Sequence, residues 1–590
     1  MDRSVIARFH KWRLKNLSHR AFIYILSIVV GIIAGLAAII IKNSTHFIHE
    51  LLERPHIWEE FNFLYIGYPV VGIAIVLLIV KFIFRQPLSH GVPNVLYSIS
   101  KRKGHVRGHN MYSSAITSIF TVGFGGSVGL EGPTVVTGAA IGSQLGRLMR
   151  LEYPQIILMV GCATGAAVAA IFKAPITGIL FAVEVIMIDL TTFSLIPLLL
   201  SSGTAVLISY FFLGQAVEYN FQLQAGFKLN ELGFFIFLGI FAGLISVYFT
   251  KVYLKLDKFF EQIKSPVKRL ALGGLGLGAL IFILPPLYGE GYEIVNACLA
   301  GNFDAFFEKG LFSNLQESIP MVILFLVAIV LFKVVASSFT FGAGGVGGVF
   351  APSMFVGATA GLLYALAINY FGLGNIIPSN YALAGMTGLM AGVLHAPLTG
   401  IFMIAELTGG YKLFVPLMIV STFAYLTVKL FLPHSLYNVE LAKKKELITH
   451  DKDKAVLSLL AVKELLETNF TTVSGDATLR DLTRAISKSH RNIFPVVDED
   501  NTLLGMVKMD DIRHLIFKQD LYDTVMVRDL MYMPEHFISP QDSMEVVAEK
   551  FQECGRYNLA VIDDGKYVGF ISRARVFSVY RKMVSDFSHD

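Results

Sequence analysis

The stretch GGSVGLEGPTVVTGAAIGSQLG, from Gly125 to Gly146, sets one carboxylate, that of Glu131, inside a glycine-rich apolar segment. A charged side chain at the centre of a bilayer costs about 2.5–3.5 kcal/mol on insertion scales, so an acid kept there marks a functional position. The surrounding chain makes the membrane reading firm. Of its 590 residues 54% are hydrophobic, the mean hydropathy is +0.61, and apolar runs at Ala21–Ile41, Leu64–Phe84, Phe193–Leu213, Gly233–Tyr253 and Met321–Val335 are of spanning length.

Charge is placed rather than spread. Residues 1–20 carry Arg3, Arg8, Lys11, Arg13, Lys15 and Arg20 against Asp2, so this basic segment accounts for the whole net charge of +5. The excess is a topology signal, which argues against a nucleic-acid partner and puts the N-terminus in the cytoplasm. The apolar run behind it is too long for a signal peptide and has no small-residue cleavage site. Lys443, Lys444 and Lys445 place the end of the membrane region on the same side, so the number of crossings is even. Cys162, Cys298 and Cys554 form no framework or metal pattern.

The membrane region repeats itself. KAPITGILFAVE (Lys173–Glu184) matches HAPLTGIFMIAE (His395–Glu406) at a spacing of 222 residues, and Gly129-Leu-Glu-Gly-Pro133 matches Gly348-Val-Phe-Ala-Pro352 at 219. Gly/Pro-broken segments in corresponding places of two halves point to a transporter site built from discontinuous helices at the repeat interface. An odd number of crossings in each half would make the halves inverted and keep the total even.

Composition changes after Leu441. FPVVDEDNTLLGMV (Phe494–Val507) and LAVIDDGKYVGFI (Leu559–Ile571) each read as strand, turn, strand. Helical stretches are expected before them, at Leu479–Ser487 and Ser543–Gln552, and after them, at Asp510–Phe517 and Arg573–Tyr580. The expected organisation is a basic N-terminus (1–20), a membrane domain (21–441, halves about 21–215 and 233–441), a linker (442–457) and two α/β units (458–519 and 524–583).

Three segments open short helices with glycine before proline: Ser89-His-Gly-Val-Pro93, Gly129-Leu-Glu-Gly-Pro133 and Gly348-Val-Phe-Ala-Pro352. Proline in a first helical turn loses only an N–H that has no partner there anyway. Helix N-termini offer free N–H groups and about half a positive charge, so the three together suit an anion. Glu131 beside them can stand in the anion's place, and protonation would remove its charge and release it.

These motifs, with the Ala-Pro-Ile/Leu-Thr-Gly repeats and Leu436-Tyr437, resemble the CLC family of chloride channels and chloride/proton exchangers. The tail resembles the paired CBS domains that many members carry. The resemblance implies a membrane all-α fold, a CLC-type two-half inverted-repeat helical bundle with discontinuous helices, followed by a soluble α/β tandem CBS domain. It implies a homodimer in the membrane lipid with a pore in each subunit, Glu131 as the gate, and an anion, chloride in most members, held around His90, Gly91, Val92, Gly129, Val349, Phe350 and Tyr437. A bacterial member would sit in the inner membrane.

Two departures bear on mechanism. His90 stands where the family motif has serine, which opens the question of which anion is preferred, since imidazole is larger and can become cationic near neutral pH. Val185 stands where exchangers typically carry a second, proton-accepting glutamate, and valine carries no proton. That substitution tips the reading from chloride/proton antiport towards passive permeation. Glu184 is adjacent, but its repeat partner Glu406 suggests that both have a structural duty.

In family CBS pairs that bind adenine nucleotides, an Asp after the second strand meets the ribose and a Ser or Thr precedes it. Here Asp511 is present with Lys508 at the hydroxyl position, and Ser572 with Arg575 at the acidic one, so a regulatory nucleotide has two half-complete places and no other cofactor is expected. Gly342-Ala-Gly-Gly-Val-Gly347 has dinucleotide-motif spacing, yet no acid follows until Glu406. His49-Glu-Leu-Leu-Glu53 approaches a zinc-protease motif but lacks its second histidine, which leaves a membrane metalloprotease as the rival enzyme class. A cation carrier would need clustered carboxylates, and none lies between Pro320 and Glu406.

Overall fold

Small residues decide how the membrane helices approach. The computed structural model describes residues 13, 15–53, 64–86, 91–102, 104–188, 190–215, 226–301, 306–307, 318–443, 460–554 and 556–588. The chain divides into two compact units, Met1–Leu447 and Ile448–Asp590.

The first half of the membrane unit runs through α1 (His19–Glu53), α2 (Leu64–Ile79), α3 (Gly91–Lys101), α4 (Asn110–Gly123), α5 (Glu131–Leu148), α6 (Tyr153–Phe172), α7 (Pro175–Glu184) and α8 (Thr192–Leu213). The second runs through α9 (Leu232–Glu261), α10 (Pro266–Ile283), α11 (Tyr292–Ala300), α12 (Ile319–Gly342), α13 (Phe350–Tyr370), α14 (Pro378–Leu394), α15 (Pro397–Leu407) and α16 (Phe414–Lys429), with α17 (Val439–Lys443) after it. Eight described helices are long and apolar enough to cross a membrane. Three of them, α6, α10 and α13, lie outside the apolar runs named above from the sequence. The most apolar stretches of α6 and α13 are 89% and 78% buried within the protein, so they need Gly and Ala for helix contact more than bulky residues for lipid.

The two halves repeat this packing. A Cβ on Gly138 or Gly142 of α5 would stand 2.7 Å from Ala163 O or 2.3 Å from Met159 O of α6. In the second half a Cβ on Gly357 or Gly361 of α13 would stand 2.6 Å from Gly385 O or 2.0 Å from Tyr381 O of α14. Each glycine pair is related by the same 219-residue step as the sequence motifs.

The second unit holds two three-stranded sheets. The first contains β1 (Val473–Ser474), β2 (Ile493–Val497) and β3 (Leu503–Lys508), and the second β4 (Phe537–Ile538), β5 (Asn558–Asp563) and β6 (Lys566–Ser572). In each, a two-residue strand pairs parallel to a strand whose hairpin partner is antiparallel. Helices α19 (Leu479–Lys488), α20 (Met509–Ile512), α21 (Met544–Cys554) and α22 (Arg573–Ser588) flank them, after the short α18 (Val462–Leu465). The helix expected over Asp510–Phe517 stops at Ile512. Arg513 turns back to Asp510 at 2.6 Å, and the chain bends so that Leu515 and Ile516 pack on the core of Val473, Leu479 and Phe494.

Packing exchanges what sequence order separates. Leu460, Val462 and Leu465, which open the first unit in sequence, lie in the core of the second with Ile538, Met544 and Phe551. Val527, Leu530 and Met531, which open the second, lie with the first core.

Candidate functional site

The loops that open α5 and α13 meet as an antiparallel bridge. Gly129 N donates to Gly348 O at 2.9 Å and Gly348 N to Gly129 O at 2.7 Å. A second reciprocal pair fixes the approach: Ser127 N donates to Thr340 Oγ1 at 3.1 Å, and Val346 N to Thr121 Oγ1 at 3.0 Å. The third helix start comes to the same place, because a Cβ on Gly91, at φ +62°, would lie 4.0 Å from Gly347 O. Proline sits third in α3, α5 and α13 alike, as Pro93, Pro133 and Pro352. Three sets of free helix-start amides thus converge inside the protein, where backbone not bonded within a helix is tolerated.

The side chains named from sequence fall around this point. Val92, Gly129, Val349 and Phe350 are buried. Phe350 packs against Phe172 and Phe181, with ring centroids 5.5 and 6.4 Å away. Tyr437 is 7% exposed, its loop held where Leu436 N donates to Val393 O at 3.1 Å, and its phenol lies within electrostatic reach of Glu131. His90 lies outside the described residues.

Glu131 is 3% exposed at the first position of α5. Its Oε1 accepts from the Tyr292 hydroxyl at 3.2 Å. Oε2 lies buried over the glycine bridge, where a Cβ on Gly129 or Gly348 would stand 2.0 or 3.4 Å from it, and the backbone amides of Glu131 and Ala351, at the two helix starts, bear on the carboxylate. The carboxylate therefore rests on the junction of the two helix starts. Lys42 of α1 is also within electrostatic reach, its Nζ donating to Ile171 O at 3.1 Å.

Glu184 and Glu406 do something different. Glu406 accepts from Ile176 N (3.0 Å), Thr177 N (2.8 Å) and Thr177 Oγ1 (2.6 Å), and so caps α7. Glu184 accepts from Leu398 N (3.0 Å), Thr399 N (2.7 Å) and Thr399 Oγ1 (2.7 Å), and so caps α15. Each half's glutamate finishes the other half's helix. Val185, 4% exposed, follows directly as the C-cap of α7.

Sequence reasoning missed three residues here. Lys333 of α12 is fully buried, with Nζ donating to Gly289 O at 3.0 Å and Leu287 O at 3.3 Å and lying 4.5 Å from the centroid of the Phe355 ring. Glu290 Oε1 accepts from Leu130 N at 2.9 Å, and Tyr292 reaches Glu131. Lys333 was findable, because it is the one charge in the run Met321–Val335 and falls under the same rule that singles out Glu131. Glu290 and Tyr292 gave no such signal, since they follow the turn Leu284-Pro-Pro-Leu-Tyr-Gly289 and read as loop.

In the tail, Asp511 is exposed in α20, the single helical turn that follows β3. Ser572 donates its hydroxyl to Glu467 Oε1, and Arg491 holds the other oxygen of that carboxylate at 2.8 Å. The hydrogen-bonded Arg480 guanidinium holds the Asp523 carboxyl below its ordinary range.

Helix starts from two inverted halves, joined inside a membrane domain around an acid, define a transporter of the discontinuous-helix class. The comparisons narrow the class. The family described as voltage gated chloride channel matches residues 71–429, and the CBS domain matches residues 462–518 and 527–582. The chain belongs to the voltage gated chloride channel (CLC) family of anion transporters, with a CBS pair at its C-terminal side. A ClcB-like chloride channel protein of Ralstonia nicotianae is 32% identical over 366 residues, covering 60% of this chain and 80% of that one. The voltage-gated ClC-type chloride channel ClcB of Escherichia coli (strain K12 / DH10B) is 29% identical over 334 residues, covering 56% and 75%. In fold the chain is similar to a slow cyanobacterial Cl-/H+ antiporter, with TM-score 0.59, 23% identity and coverage of 73% and 99%. It is likewise similar to a eukaryotic CLC transporter, with TM-score 0.58, 20% identity and coverage of 94% and 97%.

Proposed function

We propose that the protein conducts chloride passively through one pore in each subunit of a homodimer, gated by Glu131. The observation that carries the reading is the Glu131 carboxylate lying over the Gly129–Gly348 bridge. That is where amides of Val349 and Phe350 at the start of α13 would receive an anion, so carboxylate and anion compete for one place. Acid opens the gate by neutralising the competitor. Gly91, Val92, Gly129 and the Tyr437 hydroxyl complete the anion's surroundings, and His90 tunes which anion is preferred. Chloride is the ion named for the ClcB relatives.

Passive conduction rests on Val185, which leaves no acid at the exchangers' second proton position, and on Glu184 being committed to capping α15. Both termini lie in the cytoplasm, with the protein in the plasma membrane. A regulatory adenine nucleotide has its open half-place at Asp511, since Ser572 is occupied by Glu467; heat released on titrating the purified chain with ATP or AMP is its measure.

The deciding experiment is the reversal potential of reconstituted protein under separate chloride and proton gradients. A potential set by chloride alone is expected, and one that moves with the pH gradient would replace conduction by antiport. Repeating it with fluoride, nitrate and bicarbonate, with and without His90→Ser, reads the contribution of His90.

A further inference from the structure

The nine residues from Leu284, which follows α10, to Tyr292, the first of α11, grip the loop that leads to Glu131 at successive points. Ser127 Oγ donates to Leu287 O at 2.6 Å, and Gly289 N donates to Gly125 O at 3.2 Å. The Tyr288 ring fills the space where Gly125 lacks a side chain, since a Cβ there would stand 1.9 Å from it. Glu290 takes the amide of Leu130, the residue before Glu131. Tyr292 then reaches the carboxylate itself. From behind, Lys333 bonds two carbonyls of the same segment.

We infer that this segment is a clasp on the gate, and that Tyr292 is the positioning residue whose hydroxyl holds Glu131 over the glycine bridge. The inference rests on Glu131 being the gate. A hydroxyl donated to a carboxylate favours its charged form and has less to offer the neutral acid as acceptor, so the bond supports the closed arrangement. Protonation weakens this bond at the same moment that it removes the attraction to the helix starts. The other groups around Glu131 are Lys42 from α1, Tyr437 from the segment after α16, Glu290 in the clasp and the start of α13.

The test is Tyr292→Phe, which keeps the ring and deletes only the donor, made in wild-type and Glu131→Gln backgrounds and read as chloride flux against pH. In the wild-type background half-maximal flux is expected at about one pH unit higher, a tenfold lower proton concentration, with maximal flux at low pH unchanged. In the Glu131→Gln background Tyr292→Phe is expected to change nothing. An unshifted pH curve, or a loss of flux in both backgrounds, would overturn the clasp by making Tyr292 a packing residue only. Failure of the gate itself looks different: Glu131→Gln alone would then stay as suppressed at neutral pH as wild type.

Discussion

The two halves of the membrane domain share the bonds that set their geometry, and at two buried positions one half carries a charge where the other does not. The bridge Gly129–Gly348, the pair Thr121/Thr340 with the amides of Val346 and Ser127, and the caps from Glu184 and Glu406 are all reciprocal. The glycines that let α5 meet α6 are the repeat partners of those that let α13 meet α14. Against that agreement, Glu131 faces Phe350 as its repeat counterpart, and Lys333 faces Ser114. The acid belongs to the first half and the base to the second, yet both serve the loop that starts α5. On the proposed function, symmetry builds the anion's seat, and its breaking at Glu131 makes one side of the seat a gate.

Removing the caps attacks the shared part. Glu184→Ala and Glu406→Ala each strand a part-buried amide and hydroxyl and an exposed amide, at about 1–3 kcal/mol for each of the two part-buried groups left unpaired. Equal losses on the order of 2–4 kcal/mol are expected, read as thermal or denaturant stability of the detergent-solubilised protein, with the pH dependence of flux intact. Unequal losses, or a changed pH response in Glu184→Ala alone, would break the equivalence of the halves and give Glu184 a part in proton handling.

Glu131→Gln attacks the asymmetric part. It is expected to raise neutral-pH chloride flux by about tenfold or more, ~1.4 kcal/mol or more in the opening equilibrium, and to flatten the pH curve. Phe350→Leu, its counterpart, should leave the pH curve's shape alone; a flattened curve in that variant would show that the second half also gates.

The smallest effect compares the helix ends. Lys173 and His395 close α6 and α14 in the left-handed region, both at φ +55°. Glycine there relieves about 1–2 kcal/mol of backbone crowding and returns about 0.5–1 kcal/mol in lost unfolded-state freedom. His395→Gly is expected to stabilise by up to about 1 kcal/mol in thermal melts, because its Nε2 is buried without a partner. Lys173→Gly should gain less, since Lys173 Nζ donates to Leu213 O at 3.2 Å.

Much of this was legible before any coordinates. The repeat, the three helix starts and Glu131 could be read because each needs a residue type that membrane sequence otherwise avoids: glycine before proline, or a lone acid. The structural duty of Glu184 and Glu406 followed from their shared place in the repeat. The segment Leu284–Tyr292 was not legible, because its bonds to the loop before Glu131 run between residues about 160 apart and half of them use backbone carbonyls, which carry no sequence signature. The exchanged segments of the CBS cores escaped for a related reason: the hydrophobic pattern of Leu460–Leu465 says that it is buried, without saying in which core.

The reciprocal caps also set a timetable. Thr177 and Glu406 are 229 residues apart, and at roughly 5–20 residues per second of synthesis the start of α7 waits on the order of 10–45 s for the carboxylate that completes it. During that interval its exposed amides must be served by water, by the insertion machinery or by a passing side chain. The first half is therefore made as an unfinished object, and its maturation begins only when the last turn of α15 arrives.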